Sequence, residues 1–248
     1  MRINKYYNKY ALYGGYPRVV LAKTDREREL VLKNIYNTYL LKEIRQILNY
    51  PSDTKLEKLI QALALQISSS CNYNELSDLT GLRHKDLIEA LDILSYTFVI
   101  ASCRPFYTNK RQELIKSPKF YFIDNGFRNM AIKNFTSLST RNDTGAIHEN
   151  FIADELLKKE IVLRYSRTKS KAEVDFIIES QGDRIPVEVK STLKKPAITR
   201  SFRSFLKKYN PPRAFVASEN LYANKIITDT PIHFRPLWRI AGSANLSA

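Results

Sequence analysis

Glu188 and Lys190 stand two residues apart in Ile185-Pro-Val-Glu188-Val-Lys190, a run whose other members are apolar. On a β-strand alternate side chains share a face, so this spacing sends an acid and an amine to one side and Val187 and Val189 to the other. Upstream, Glu173-Val-Asp175-Phe-Ile-Ile is a second strand-like run. A short polar turn would fold the two runs into a hairpin and bring Asp175 beside Glu188. Two carboxylates so placed can hold a hard divalent cation, Mg²⁺ or Mn²⁺, while the ammonium offsets the negative charge that grows on a phosphate attacked by water. The pattern points to phosphodiester hydrolysis. The same three residues would also suit a buried ion-pair cluster without metal, and Glu-x-Lys alone occurs on ordinary exposed strands.

The elements that must position these groups are readable around them. Ile147-His148-Glu149-Asn-Phe151-Ile152 opens a helix that carries a further acid, Glu149. Ile161 to Tyr165, Val174 to Ile178, Ile185 to Val189 and Ala214 to Ser218 read as strands, and Ile198 to Tyr209 as a helix with Phe202, Phe205, Leu206 and Tyr209 on one face. The order α, β, β, β, α, β over residues 144–240 implies a mixed sheet covered by helices, because a parallel return after the last helix needs a crossover. His148 is expected on the helix surface, and His84 and His233 have no companions at metal-ligand spacing.

Two further segments precede this one. Residues 1–53 form a helical segment: after the turn Tyr13-Gly-Gly-Tyr-Pro17, Asp25 is expected to cap a helix with Leu32, Ile35, Tyr36, Tyr39, Ile44 and Leu48 at helical spacing. Residues 54–135 have the rhythm of a winged helix-turn-helix: a helix over Leu56 to Ile67, a shorter one over Tyr73 to Leu79, a turn at Gly81, then a helix from Arg83 to Leu94. The strand-like runs Thr97 to Cys103 and Lys119 to Ile123 would flank a wing formed by Arg104 to Pro118. Arg83, His84 and Lys85 would stand at the end of the recognition helix that meets a DNA groove, with Lys110 and Arg111 in the wing. Arg167, Lys169 and Lys171, ahead of Asp175, are candidate phosphate contacts. Solvated charged faces are the competing reading for all of these.

Forty Lys and Arg against 25 Asp and Glu give a formal net charge of +15, which calls for a polyanionic partner such as nucleic acid or an acidic membrane surface. No basic amphipathic helix with a broad apolar face stands out to favour the membrane. No apolar run approaches the roughly 20 residues that span a bilayer, and the start lacks the apolar core of a signal peptide, so a cytoplasmic protein is expected. Cys71 and Cys103 are isolated and form no C-x-x-C pair, so buried reduced thiols are expected rather than a disulfide or zinc site. Nothing matches G-x-x-x-x-G-K-S/T, so the chain alone is not expected to hydrolyse ATP.

Glu149, Asp175 and the Glu188-x-Lys190 pair followed by Ser191 resemble the motif of the restriction-endonuclease-like PD-(D/E)xK superfamily, and Arg167-Thr-Lys-Ser170 looks like its Holliday-junction-resolvase branch. Val174 stands where that motif has proline. More widely, Tyr13-Gly-Gly-Tyr-Pro17, the helix-turn-helix, Ser117-Pro-Lys-Phe-Tyr-Phe-Ile-Asp124-Asn-Gly126, His148-Glu149-Asn-Phe151 and Glu173-Val-Asp-Phe-Ile177 resemble the uncharacterised domain C-terminal to the ATPase module of archaeal and bacterial AAA-type ATPases. The resemblance implies an α/β protein with an N-terminal helical segment and winged helix, followed by a restriction-endonuclease-like mixed sheet flanked by helices. It implies Mg or Mn held by Asp175, Glu188 and Glu149, with Lys190 completing the catalytic set. It also implies DNA as partner, an ATPase partner or an upstream ATPase domain that this sequence lacks, and a homodimer as the common assembly of such nucleases. The alternative expectation is a non-catalytic DNA- or protein-binding module that targets or regulates an ATPase.

Overall fold

The computed structural model describes residues 2–48, 53–107, 110–168 and 172–242, and within them the N-terminal part is helical and the remainder a mixed α/β structure. Helices α1 (Arg2–Tyr13), α2 (Pro17–Val20) and α3 (Asp25–Ile35) come first. Pro17 opens α2, where its missing N–H costs nothing because first-turn donors lack intrahelical partners. Thr24, not Asp25, caps α3: its Oγ1 accepts a hydrogen bond from the Glu27 N–H at 3.1 Å, and Asp25 becomes the first helical residue. Past Ile35 the chain widens into π-helical turns over Tyr36–Ile44 and then continues as α4 (Arg45–Leu48).

Next come α5 (Asp53–Leu65), α6 (Tyr73–Thr80) and α7 (His84–Tyr96). Asn72 caps α6 by accepting from the Asn74 N–H at 3.0 Å, and Gly81, at φ 67°, ends it in the left-handed region that suits glycine. Leu87, Ala90, Leu91 and Leu94 form the buried stripe of α7. β1 (Ile100–Pro105), α8 (Lys110–Ile115), β2 (Lys119–Phe122), α9 (Asn125–Ala131) and a 3₁₀ turn at Leu138–Thr140 follow. Cys71 and Cys103 are buried and form no disulfide among the described residues, and burial pushes the Cys71 thiol up to about 12. Among the described residues no helix is long and apolar enough to cross a membrane.

The remaining elements are α10 (Thr144–Leu157), β3 (Arg164–Arg167), β4 (Glu173–Val174), β5 (Phe176–Ser180), β6 (Asp183–Val189), α11 (Arg200–Tyr209), β7 (Ala214–Ser218), β8 (Ala223–Ile227), β9 (Thr230–Pro236) and α12 (Leu237–Gly242). β3 begins three residues later than the apolar run at Ile161 suggested. One sheet has the order β5-β6-β7-β9-β8, with β6, β7 and β9 mutually parallel and the outer strands antiparallel to their neighbours. α11 provides the crossover between the parallel strands β6 and β7. It buries Phe202, Phe205 and Leu206 against Val174, Ile177, Val216 and Phe234, while its arginines and lysines face solvent. β5 and β6 are joined by Gln181 and Gly182, both at positive φ, as a tight two-residue hairpin turn requires.

Two compact units result: residues 1–102 with 119–143, and 103–118 with 144–248. Residues 103–118, which include the expected wing from Arg104 to Pro118, therefore group with the second unit, where Arg104 and Pro105 of β1 pair in parallel with Arg164 and Tyr165 of β3.

Candidate functional site

The β5–β6 register places Phe176 opposite Val187, so the residue before the first faces the residue after the second: Asp175 is brought beside Glu188 at the open end of the hairpin. Asp175 is anchored there by the backbone, its Oδ2 accepting from the Val189 N–H at 2.7 Å. Glu188 is buried, at 3% exposure, and Lys190 is half-buried on the same side of the strand. The Lys190 ammonium lies 2.8 Å from Glu188 Oε1. The same oxygen accepts from the Thr199 hydroxyl at 2.9 Å. Glu188 Oε2 is also buried and has no hydrogen-bond partner among the described residues. A buried carboxylate oxygen left in that state costs on the order of 1–3 kcal/mol, so this atom is a ready acceptor for a cation or a donor.

Burial alone would lower the pKa of Lys190, but its attraction to Glu188, the hydrogen bond between them, and the charges of Asp175 and then Glu149 outweigh it and raise the pKa. Lys190 is therefore a fixed cation at neutral pH and cannot serve as a base. The field at its nitrogen includes all three predicted acids: Glu149 projects from α10, which packs against β6, and is half-buried. Among the described residues, no three of His, Cys, Asp and Glu are grouped closely enough to enclose a metal ion. The donor set is nevertheless all oxygen, which suits Mg²⁺, an ion commonly held by one or two carboxylates while it keeps several waters.

Two residues around the site were misjudged or missed in the sequence. Thr199 is the N-cap of α11, its Oγ1 accepting from the Phe202 N–H at 3.1 Å, and through the bond above it fixes the Glu188 rotamer. A threonine just ahead of an amphipathic run was the available signal. His148, expected on the surface, is fully buried. α10 buries Ile147, Asn150, Phe151, Ile152, Ala153 and Leu156 around it, so the helix has no broad wet face on which to leave the imidazole. Its Nε2 lies 3.4 Å from Glu219 Oε1, and burial pushes its pKa down to about 4, so it is neutral at pH 7.

The basic candidates are more dispersed. Arg83 is the N-cap residue of α7 and 86% exposed at its side chain, yet it makes two bonds to Asp86, at 2.9 and 3.1 Å. His84 and Lys85 are exposed beside it, and the His84 ring meets Tyr73 edge-on at 6.0 Å. Lys110 and Arg111 open α8 in the second unit, with Arg111 exposed. Arg167 sits on β3, its Nε 3.6 Å from Glu173 on β4. Lys169 and Lys171 lie outside the described residues.

Residues 4–138 match the family model described as a domain of unknown function, DUF8612, and residues 144–235 match a second domain of unknown function, DUF4143. The first match spans more than half of the chain, which belongs to the DUF8612 family. An uncharacterised protein of Haemophilus influenzae is 26% identical over 193 residues, covering 75% of this chain and 46% of that protein. The chain thus spans about half the length of the curated relative it matches.

Proposed function

We propose that this member of the DUF8612 family is a divalent-cation-dependent, nuclease-like DNA-binding protein that hydrolyses phosphodiester bonds at Asp175, Glu188 and Lys190. The observation that carries the proposal is the Glu188–Lys190 couple: an amine 2.8 Å from a buried carboxylate whose second oxygen is left for another ligand. Asp175 and Glu188, with Glu149 behind them, would hold Mg²⁺ or Mn²⁺. When bound, the cation supplies positive charge and a more acidic water. Lys190 offsets the negative charge that builds on the phosphoryl oxygens, and does so without reorganising because Glu188 already holds it in place. Thr199 and the Val189 N–H fix the two acids.

Fold-level features support the same reading. The α5-α6-α7 order with its glycine turn supports a helix-turn-helix that presents Arg83, His84 and Lys85 to DNA, although the segment expected as its wing groups with the second unit. The succession α10, β5, β6, α11, β7 supports a restriction-endonuclease-like core. An ATPase module, in the same polypeptide or another, and a second copy of the chain are the partners that go with this proposal. One observation favours a second reading, a non-catalytic module that targets or regulates an ATPase: no three acids among the described residues enclose a cation.

Incubating linear, single-stranded and four-way-junction DNA with the protein, with and without Mn²⁺, separates the two. Cleavage by the wild type and its loss by about 100-fold or more in Lys190→Ala, with DNA affinity unchanged, is the expected result, because the amine acts on the transition state more than on the bound ground state. Equal cutting by both proteins would remove Lys190 from the mechanism. Turnover on no substrate would favour the regulatory module.

A further inference from the structure

In the second unit a cleft of about 600 Å³ opens along α11, within the size range of small-molecule sites. Its lining is chemically one-sided. Lys116, Arg167 and Lys208 contribute three positive charges, and no carboxylate is among its described lining residues. Phe106, Phe205 and Tyr209 form an aromatic wall, with Phe205 and Tyr209 ring centroids 4.5 Å apart and Phe106 edge-on to Tyr209 at 6.0 Å. The Arg184 guanidinium lies 5.2 Å from the Phe106 ring centre and 5.4 Å from that of Tyr209, which restrains the wall.

The floor is a stripe of α11. Ser201, Ser204, Phe205 and Lys208 all line the cleft and recur at helical spacing, so hydroxyls, a ring and an ammonium follow one another over about 10 Å at 1.5 Å per residue. That is the length of a nucleoside with one phosphate. Arg167 is held at the rim by Glu173 across the β3–β4 ladder, at 3.6 Å. A cavity with cations and hydroxyls for a many-oxygen anion, and flat rings for a planar heterocycle, matches both halves of a phosphorylated nucleoside.

We propose that this cleft binds a nucleoside monophosphate unit, either a free nucleotide or the phosphorylated end of a nucleic-acid strand, with the base against Phe106, Phe205 and Tyr209 and the phosphate between Lys116, Arg167 and Lys208. Binding here does not rest on hydrolysis at Glu188 and Lys190.

The test is fluorescence polarisation of etheno-AMP with the full chain in EDTA, where cleavage plays no part and its failure cannot be confused with failure of the site. Saturable binding is expected, displaced by AMP much better than by inorganic phosphate or adenosine. Ser204→Glu and Lys208→Glu, both at exposed positions on α11, should each weaken it by roughly tenfold or more, as loss of a charge-assisted contact does. Competition by an oligothymidylate with a 5′-phosphate, compared with the same oligomer lacking it, separates the two sources: tighter binding than AMP assigns a strand end, and weaker binding a free nucleotide. The proposal is overturned if etheno-AMP shows no saturable binding, if phosphate alone displaces it as well as AMP, or if both glutamate variants bind as the wild type does.

Discussion

Thr199 does two jobs with one oxygen. It accepts the Phe202 N–H to cap α11 and donates its own proton to Glu188 Oε1, so the position of the buried acid and the start of the crossover helix depend on the same side chain. Thr199→Val keeps the shape and removes both bonds. It is expected to cost about 1–2 kcal/mol in urea denaturation, with Thr199→Ser recovering most of the loss. A valine variant as stable as the wild type would mean that neither bond matters. Glu188 and Lys190 were legible in the sequence because strand alternation needs only a spacing of two. Thr199 was not, because its link to Glu188 spans an irregular stretch, Ser191 to Thr199, that has no period to read. His148 was misread for the opposite reason: it lies in a helix so widely buried that the usual polar-outward rule gives the wrong face.

Tyr13-Gly-Gly-Tyr-Pro17 and Asp124-Asn-Gly126 are distant in sequence, and folding brings these two element boundaries together. Asp124 caps α9 through the Phe127 N–H at 3.0 Å and also accepts from the Gly15 N–H at 2.7 Å. A Cβ at Gly126 would stand 2.1 Å from the Tyr13 carbonyl oxygen, an approach no side chain permits. These glycines therefore serve the packing of α1 against α9 rather than phosphate binding. On an exposed helix Gly→Ala gains close to 1 kcal/mol, whereas Gly126→Ala is expected to lose more than about 2 kcal/mol in the urea-denaturation free energy, and a gain would refute the close approach. The long helix beginning at α3 shows where reading by period fails. Leu32, Tyr36, Leu40, Ile44 and Leu48 are buried at strict four-residue intervals. A 3.6-residue helix would carry such a series off one face by about 40° at each step, and the wider π-helical turns of Tyr36–Ile44 keep it on the core. Periodicity tuned to the α-helix found Leu32, Tyr36, Ile44 and Leu48 but added Ile35 and Tyr39, which are only half-buried, and passed over Leu40.

At the scale of the molecule, the helical N-terminal part and the helix-flanked mixed sheet were legible because apolar period and turn residues are local signals. The excursion of residues 103–118 from one unit into the other was not. β1 is continuous from Ile100 to Pro105 with no turn to mark the boundary at Cys103, and its pairing with β3 joins Arg104 to Arg164, a partner 60 residues away. The same scale governs the net charge of +15, which no single pair explains. If nucleic acid is what this charge meets, each neutralised phosphate releases counterions, and the logarithm of the affinity for a short duplex must fall linearly with the logarithm of salt, by about 0.9 per contact. Measured by fluorescence anisotropy between 50 and 200 mM NaCl, about six contacts would cost close to a thousandfold. Arg83 is already satisfied by Asp86, so Lys85 is the sharper probe on α7. Lys85→Ala is expected to lower the slope by about one and to weaken all duplex sequences alike, because a phosphate contact carries no base information. A flat salt response would leave the excess charge without a polyanionic partner, whereas a steep slope that Lys85→Ala leaves unchanged would keep the DNA and move its track away from the N-terminus of α7.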